Sequence, residues 1–235
     1  HARRLIDSGV IGRVSGFFCR YDVDNEADGN RLWSWRMSRA QSGTGSNGDV
    51  LSHVISVAHF LTNSSISRVV GDYTIVHKER ADSQAAGQTK IVDNDDMVAA
   101  LIHFENGVKG HIGASRVTWG RKCGLRWELH GTEGTIIYDQ ERLNELKLFT
   151  RQDNPATDGF RTILTGPLHE PYAAFLPNGG HSLGYMDVKI CELHDLLSAI
   201  EANSQVWPSF ADGLKIERVM DAVDRSAQTN KWVDV

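Results

Sequence analysis

Cysteine and proline are scarce in this chain, and long apolar runs and an excess of positive charge are missing. Only three of the 235 residues are cysteines. Cys19, Cys123 and Cys191 are far apart and odd in number, so they form neither a metal-binding spacing nor an obvious disulfide framework. A reducing, cytoplasmic setting is therefore expected. No apolar stretch approaches the length of a membrane span and no signal peptide is visible, so no membrane partner is expected. Acidic side chains outnumber basic ones, and the net charge of −5 gives no electrostatic footprint for nucleic acid or anionic lipid. An initiator Met is also missing. The chain starts at His1, directly in a helical pattern, and is expected to be a piece of something longer. What remains, 40% apolar and 23% charged, is an ordinary globular composition with ample length to bury a core.

Glycine is not scarce, and one cluster invites a wrong conclusion. Gly43-Thr44-Gly45-Ser46-Asn47-Gly48 spells G-x-G-x-x-G, the pattern of a dinucleotide-binding turn. Such a turn needs a buried apolar strand running into its first glycine. Here the approach, Arg36 to Ser42, is polar. The helix that follows opens on Asp49, whose carboxylate would repel a pyrophosphate. Asp72 does not supply the missing acidic partner, because it falls inside a later strand pattern. The hexapeptide reads instead as a flexible entry to a helix that presents Asp49 and His53.

Periodicity organises the rest. Ala2 to Ser8 reads as a short helix and Val10 to Tyr21 as a strand, with Gly12 and Gly16 as candidate bulges. Asp22 to Gly48 is polar and reads as a long loop, a length that is usually functional or disordered. Asp49 to Thr62 is the clearest helix: Val50, Val54, Val57, Ala58 and Leu61 recur at three- and four-residue spacing. Strand patterns follow at Ser67–Val76, Asp96–Phe104, Val108–Val117, Leu125–His130, Thr135–Tyr138 and Leu146–Phe149. Glu105-Asn106-Gly107 is a hairpin signal, because Asn-Gly accepts positive φ. Together these predict an antiparallel meander of about six strands, which needs a cover on one face at least. Arg151 to Gly184 holds most of the prolines and reads as irregular; Tyr185–Ala202 and Ala211–Gln228 read as amphipathic helices, and Trp232–Val235 as a last strand. The fold class expected is α+β, a large antiparallel sheet with helices on one face.

In this order the residues resemble the carboxy-terminal half of the Gfo/Idh/MocA oxidoreductases, which act on sugars, inositols and related polyols. Arg4 to Gly12 is similar to that family's helix and first strand after its cofactor domain. Trp35-Arg36, the glycine run, and Asp49 with His53 resemble its Trp-Arg, glycine and Asp-x-x-x-His block. Asp96–Gly107, Gly131–Gly134, Gly180–Tyr185 and Asp212-Gly213-Leu214 fit its later blocks. Two positions depart: Asn47 and Gly48 stand where the family has apolar residues, and Ser56 stands where it often has Asp. The family's Rossmann half, with its phosphate-binding turn and its catalytic Lys in a Glu-Lys-Pro context, would precede His1. The resemblance thus implies the substrate-binding and oligomerisation half of an NAD- or NADP-dependent dehydrogenase, inactive alone. It also implies that the helices Ala2–Ser8 and Ala211–Gln228 pack partly against the absent half.

Asp49 and His53 are one turn apart, so their side chains share a helix face. From spacing alone they read first as an exposed Asp–His pair on the helix surface, stabilised weakly by charge. The resemblance gives them roles: His53 takes or relays the hydroxyl proton, for which imidazole titrates in the right range, and Asp49 holds a substrate hydroxyl or orients the imidazole. Trp33, Trp35, Arg36 and Arg39 precede them. Aromatic faces stack on the C–H faces of sugars and guanidinium supplies fixed donors, which makes Arg36 and Trp35 substrate-binding candidates. His181 and Tyr185 flank a glycine-rich junction and are two more. Lys109, His111 and Ser115 share a strand face expected to be covered by another subunit in a homodimer or homotetramer. Two other classes remain open at this point: a metal-assisted isomerase or lyase on Asp49, His53 and His181, and a non-catalytic binding or assembly module.

Overall fold

The computed structural model of the chain describes residues 1–151 and 155–235. A short helix, α1 (Ala2–Asp7), leads into β1 (Val14–Asp22). A long connection follows, holding a 3-10 turn (Trp35–Met37) and two single-turn helices, α2 (Arg39–Ser42) and α3 (Ser46–Asp49), before α4 (Leu51–Thr62). Next come β2 (Ile66–Thr74) and a small hairpin of β3 (Glu79–Ala81) and β4 (Thr89–Ile91). They are followed by β5 (Met97–Phe104), β6 (Lys109–Ser115), β7 (Gly124–Gly131), β8 (Gly134–Asp139), β9 (Glu145–Thr150) and β10 (Arg161–Leu164). Helices α5 (Tyr185–Glu201) and α6 (Phe210–Thr229) and strand β11 (Val233–Asp234) close the chain.

Among the described residues, one nine-stranded sheet runs in the order β10-β9-β8-β7-β1-β6-β5-β2-β11. Helices pack on one face of it, so the fold is α+β. The six meander strands are present as β2 and β5 to β9, but the meander is split. β1 inserts between β6 and β7, antiparallel to β7 and parallel to β6. Its register slips between Val14 and Gly16, at one of the two expected bulge glycines; the other, Gly12, lies before the strand begins. At the β1–β6 seam Gly110 is required, because a Cβ there would overlap the Phe17 carbonyl oxygen.

Alternation decides which side is covered. In β5, Val98, Ala100, Ile102 and Phe104 are buried while Ala99 and Leu101 are exposed. In α4, Leu51, Val54, Ile55, Ala58 and Leu61 are buried, and they join Phe17, Cys19, Ile112 and Leu129 in one core cluster. Each large side chain taken fully from water contributes on the order of 1.5–3 kcal/mol. The amino-terminal end of α4 is thereby fixed against β1, and with it the position of His53. The carboxy-terminal part of α6 joins the same core through Val219, Met220, Ala222 and Val223.

The structure corrects several expectations. The Glu105-Asn106-Gly107 turn puts Gly107, not Asn106, at positive φ. The segment expected to be irregular contains β10, and the β3–β4 hairpin was not foreseen; strands of three or four mostly exposed residues carry no usable period. The helix Asp49–Thr62 is divided at Val50. Exposure was expected of α1 and α6: α1 has no buried residue, whereas α6 buries its carboxy-terminal part, and the longer α5 has no buried residue either. Its Met186, Ile190, Leu193, Leu197 and Ile200 are exposed, as is Phe210 at the start of α6. No helix among the described residues is long and apolar enough to cross a membrane.

Candidate active site

The end of β1, the long connection and the start of α4 enclose a cavity of about 320 Å³. Asp49 and His53 both line it, together with Arg36, Tyr21, Glu26, Arg31 and Arg116. The break at Val50 therefore does not separate the pair; Val50 keeps right-handed helical angles (φ −99°, ψ −40°) and the two side chains stay on one face. Neither ring nitrogen of His53 and neither carboxylate oxygen of Asp49 has a hydrogen-bond partner among the described residues. Their polar atoms are thus available to a ligand.

Tyr21 sits edge-on to the His53 ring, with centroids 5.6 Å apart and planes at 74°. Its hydroxyl meets Cys123 Sγ at 3.0 Å, and Gln140 Nε2 donates to the same sulfur at 2.8 Å. Burial, and then the contact with Cys123, push the Tyr21 phenol above its ordinary range. It stays neutral near pH 7 and acts as a wall for the imidazole, not as a base.

Arg36 is presented by the 3-10 turn, which buried Met37 pins to the body. Its guanidinium lies 4.6 Å from the Trp35 ring centroid, and its carbonyl accepts from Asn94 Nδ2 (2.7 Å) and Arg116 Nη1 (3.2 Å). Arg116 is itself held in a buried pair with Asp96 at 2.9 Å. Earlier in the connection, the carbonyls of Glu26, Asp28 and Arg31 accept from buried Arg80, which reaches them from β3. The loop is ordered by cations bonded to its own backbone, which answers the need of a long connection to satisfy its polar groups.

The glycine hexapeptide is also explained. The Gly45 and Asn47 amides donate to the Asp95 carboxylate, each at 2.7 Å, and the Ser46 amide to the Asp95 carbonyl at 2.9 Å. These three successive amides, occupied by Asp95, are not free to cradle a pyrophosphate. Asn47, polar where the family is apolar, is fully buried. Its Nδ2 donates to Tyr73 Oη (2.9 Å) and to the Met220 carbonyl (3.0 Å), so the departure ties this turn to α6.

Other candidates lie elsewhere. Trp35 is half exposed and does not line the cavity. Trp33 donates its indole N–H to the Ile91 carbonyl and anchors the loop. Arg39 pairs with Asp224 on α6 at 2.6 Å, which raises its already high pKa. His181 and Tyr185 are exposed and are not part of the cavity lining; His181 Nδ1 lies 3.3 Å from the Asn178 carbonyl. The trio that a metal site would need is therefore not brought together, and no group of three or more His, Cys, Asp or Glu among the described residues is arranged to hold a metal ion. On the open sheet face His111 packs on Phe18, and Phe18 on His130, at 4.6 and 4.8 Å. Ser115, expected on that surface, is instead buried and accepts from Val117 N and Thr118 Oγ1.

Sequence reasoning missed Tyr21, Glu26, Arg31, Asp95 and Arg116. The adjacent Asn94-Asp95-Asp96, polar residues at the mouth of an apolar strand, was the signal that could have found Asp95.

A family model described as the GFO/IDH/MocA C-terminal domain matches residues 1–137. A levoglucosan dehydrogenase from Pseudarthrobacter phenanthrenivorans is 37% identical over all of this chain and 63% of its own length. A solved levoglucosan dehydrogenase in complex with NADH and levoglucosan superposes with a TM-score of 0.92 at 38% identity, covering 100% of this chain and 62% of that one. An NAD binding oxidoreductase from Klebsiella pneumoniae gives 0.94 at 37% identity with the same coverage, 100% and 62%. The chain belongs to the Gfo/Idh/MocA family of oxidoreductases. It spans about three fifths of the length of these relatives.

Proposed function

We propose that this chain forms the substrate-binding and assembly half of an NAD-dependent dehydrogenase that oxidises a secondary hydroxyl of a sugar or related polyol. The observation that carries the proposal is the pairing of His53 and Asp49, both without protein partners among the described residues, in one cavity with Arg36. Levoglucosan, the sugar named with one of the solved relatives, is the first substrate to test. His53 accepts the hydroxyl proton as the carbinol carbon is oxidised, and Asp49 accepts a hydrogen bond from a substrate hydroxyl. Arg36 donates to a further oxygen, its plane held against Trp35. Tyr21 limits rotation of the imidazole. The nicotinamide, when bound, supplies the hydride acceptor. The residues here do not fit its phosphates, because the glycine turn is filled by Asp95; the dinucleotide belongs to a separate lobe. NAD is favoured over NADP by the NADH found with the relatives. Without that lobe the chain does not turn over.

The bare sheet face is proposed as the contact between copies in a homodimer or homotetramer. It presents exposed Leu101 beside the packed His111, Phe18 and His130, with Arg20, Arg126 and Glu128 among them, and aromatic and arginine side chains are enriched at contacts between proteins.

Replacing His53 by Ala in the full-length enzyme is expected to lower kcat/KM for the sugar by about 10²–10⁴-fold, the usual worth of a general base, with an unchanged circular dichroism spectrum. A variant within a few-fold of wild type would remove His53 from the mechanism.

A further inference from the structure

We infer that Asp95 is a positioning residue for this site: with its carboxylate and its carbonyl it holds the turn from which Asp49 and His53 project. The inference rests on the roles given above to those two residues. Asp95 is 1% exposed and does not line the cavity, so it has no access to a substrate. Instead it takes three successive amides, Gly45, Ser46 and Asn47, at 2.7, 2.9 and 2.7 Å. These amides open the helical turn that ends on Asp49, and first-turn amides have no partners within their own helix. The helix bearing His53 has no side-chain cap of its own. Its entry is therefore set from outside, by a residue at the mouth of β5.

The neighbours of Asp95 secure the opposite wall. Asn94 Nδ2 holds the Arg36 carbonyl (2.7 Å) and Ser42 Oγ (2.8 Å). Asp96 accepts from Arg116 Nε (2.9 Å) and from the Val76 amide (2.7 Å). Three consecutive residues thus tie both sides of the cavity to one rigid strand, and Asp95 governs the side carrying the proton acceptor. The tie continues outward from Asn47 to Tyr73 Oη, which donates to Asp224 Oδ1 at 3.1 Å. A carboxylate suits this duty, because amide hydrogen bonds to a charged acceptor are about twice as strong as neutral ones.

The test is a double-mutant cycle in the full-length enzyme, read by steady-state sugar oxidation and thermal melting. Asp95→Asn keeps the shape but turns an NH₂ group towards an amide that needs an acceptor. The expected result is a fall in kcat of about 10- to 100-fold, the scale of an ångström misplacement of reacting groups, with KM for the sugar changed less than about threefold. The kcat–pH profile should move with it. In the His53→Ala background the same substitution should cost clearly less, at most about fivefold, since Asp49 is still to be placed but the imidazole is not. An equal loss in both backgrounds, or a kcat within twofold of wild type, would overturn the inference. If Asp95→Asn does not fold, Tyr73→Phe removes the next link and is expected to give a smaller loss with the same dependence on His53; equal loss in both backgrounds refutes it again. Full activity of His53→Ala alone would sink the reading of His53, and Asp49→Asn would then serve as the background for the same comparison.

Discussion

Substituting Gly45 by Ala probes the site entry by sterics alone, without touching a charge. A Cβ built at Gly45 overlaps the Asp95 carbonyl oxygen and lies 2.9 Å from its carbon and 3.0 Å from Arg116 Nη1. Ordinary contact begins near 3.4 Å, and the nearest atom is backbone that cannot swing away. The Gly45–Asp95 segment must separate, which costs about 1–3 kcal/mol as an overpacked contact. Separation also stretches the Gly45 amide bond to the Asp95 carboxylate, worth about 1.5–3 kcal/mol for a charged acceptor. The expected loss is therefore about 2.5–6 kcal/mol, and a chain of this size should melt about 5–24 °C lower. Urea denaturation monitored by tryptophan fluorescence measures it, with the slope m expected to stay constant. A loss below about 0.5 kcal/mol, the range of an indifferent surface change, would show that the turn is not clamped and would weaken the case for Asp95 as well.

Two further outcomes follow from other parts of the molecule. His59 on α4 accepts from the Ile66 amide at 3.2 Å. Burial, and then nearby Lys215, lower its pKa from 6.5 to about 4, with Asp212 opposing. Between those two values the unfolded chain binds a proton that the folded chain refuses. The stabilisation is complete above pH 6.5 and is lost as the pH falls towards 4. His59→Gln should flatten that part of the stability–pH curve, and an unchanged slope would refute the assignment. On the bare sheet face, Leu101→Glu is expected to leave the melting profile of the isolated fold intact and shift sedimentation of the full-length protein towards a smaller species; unchanged sedimentation would place the contact between copies elsewhere.

The strands and the main helices were legible because one buried face imposes a period. Val98, Ala100, Ile102 and Phe104 alternate with exposed neighbours, and the α4 stripe recurs at helical spacing. The rejection of the glycine hexapeptide as a phosphate cradle was legible too, from the polar residues before it and the Asp after it. The turn hairpin of β3 and β4 was not, because buried Arg80 is its one inward residue and bonds to carbonyls, not to an apolar core. Neither was the exposure of α5, whose amphipathic pattern states that it has an apolar side but not whether anything in this chain covers it.

By itself the sequence determined which stretches alternate, where Asp49 and His53 fall on a helix, and which family pattern they belong to, because these depend on neighbours a few residues apart. Tertiary structure alone decided that β1 lies between β6 and β7, which carries Tyr21 to the His53 ring. It also decided that Asp95 closes on Gly45, and that His181 stays outside the cavity which Arg36 joins. Such meetings join residues far apart in the chain, and the free energy that selects them comes from burying the whole sheet face at once. No local pattern encodes it.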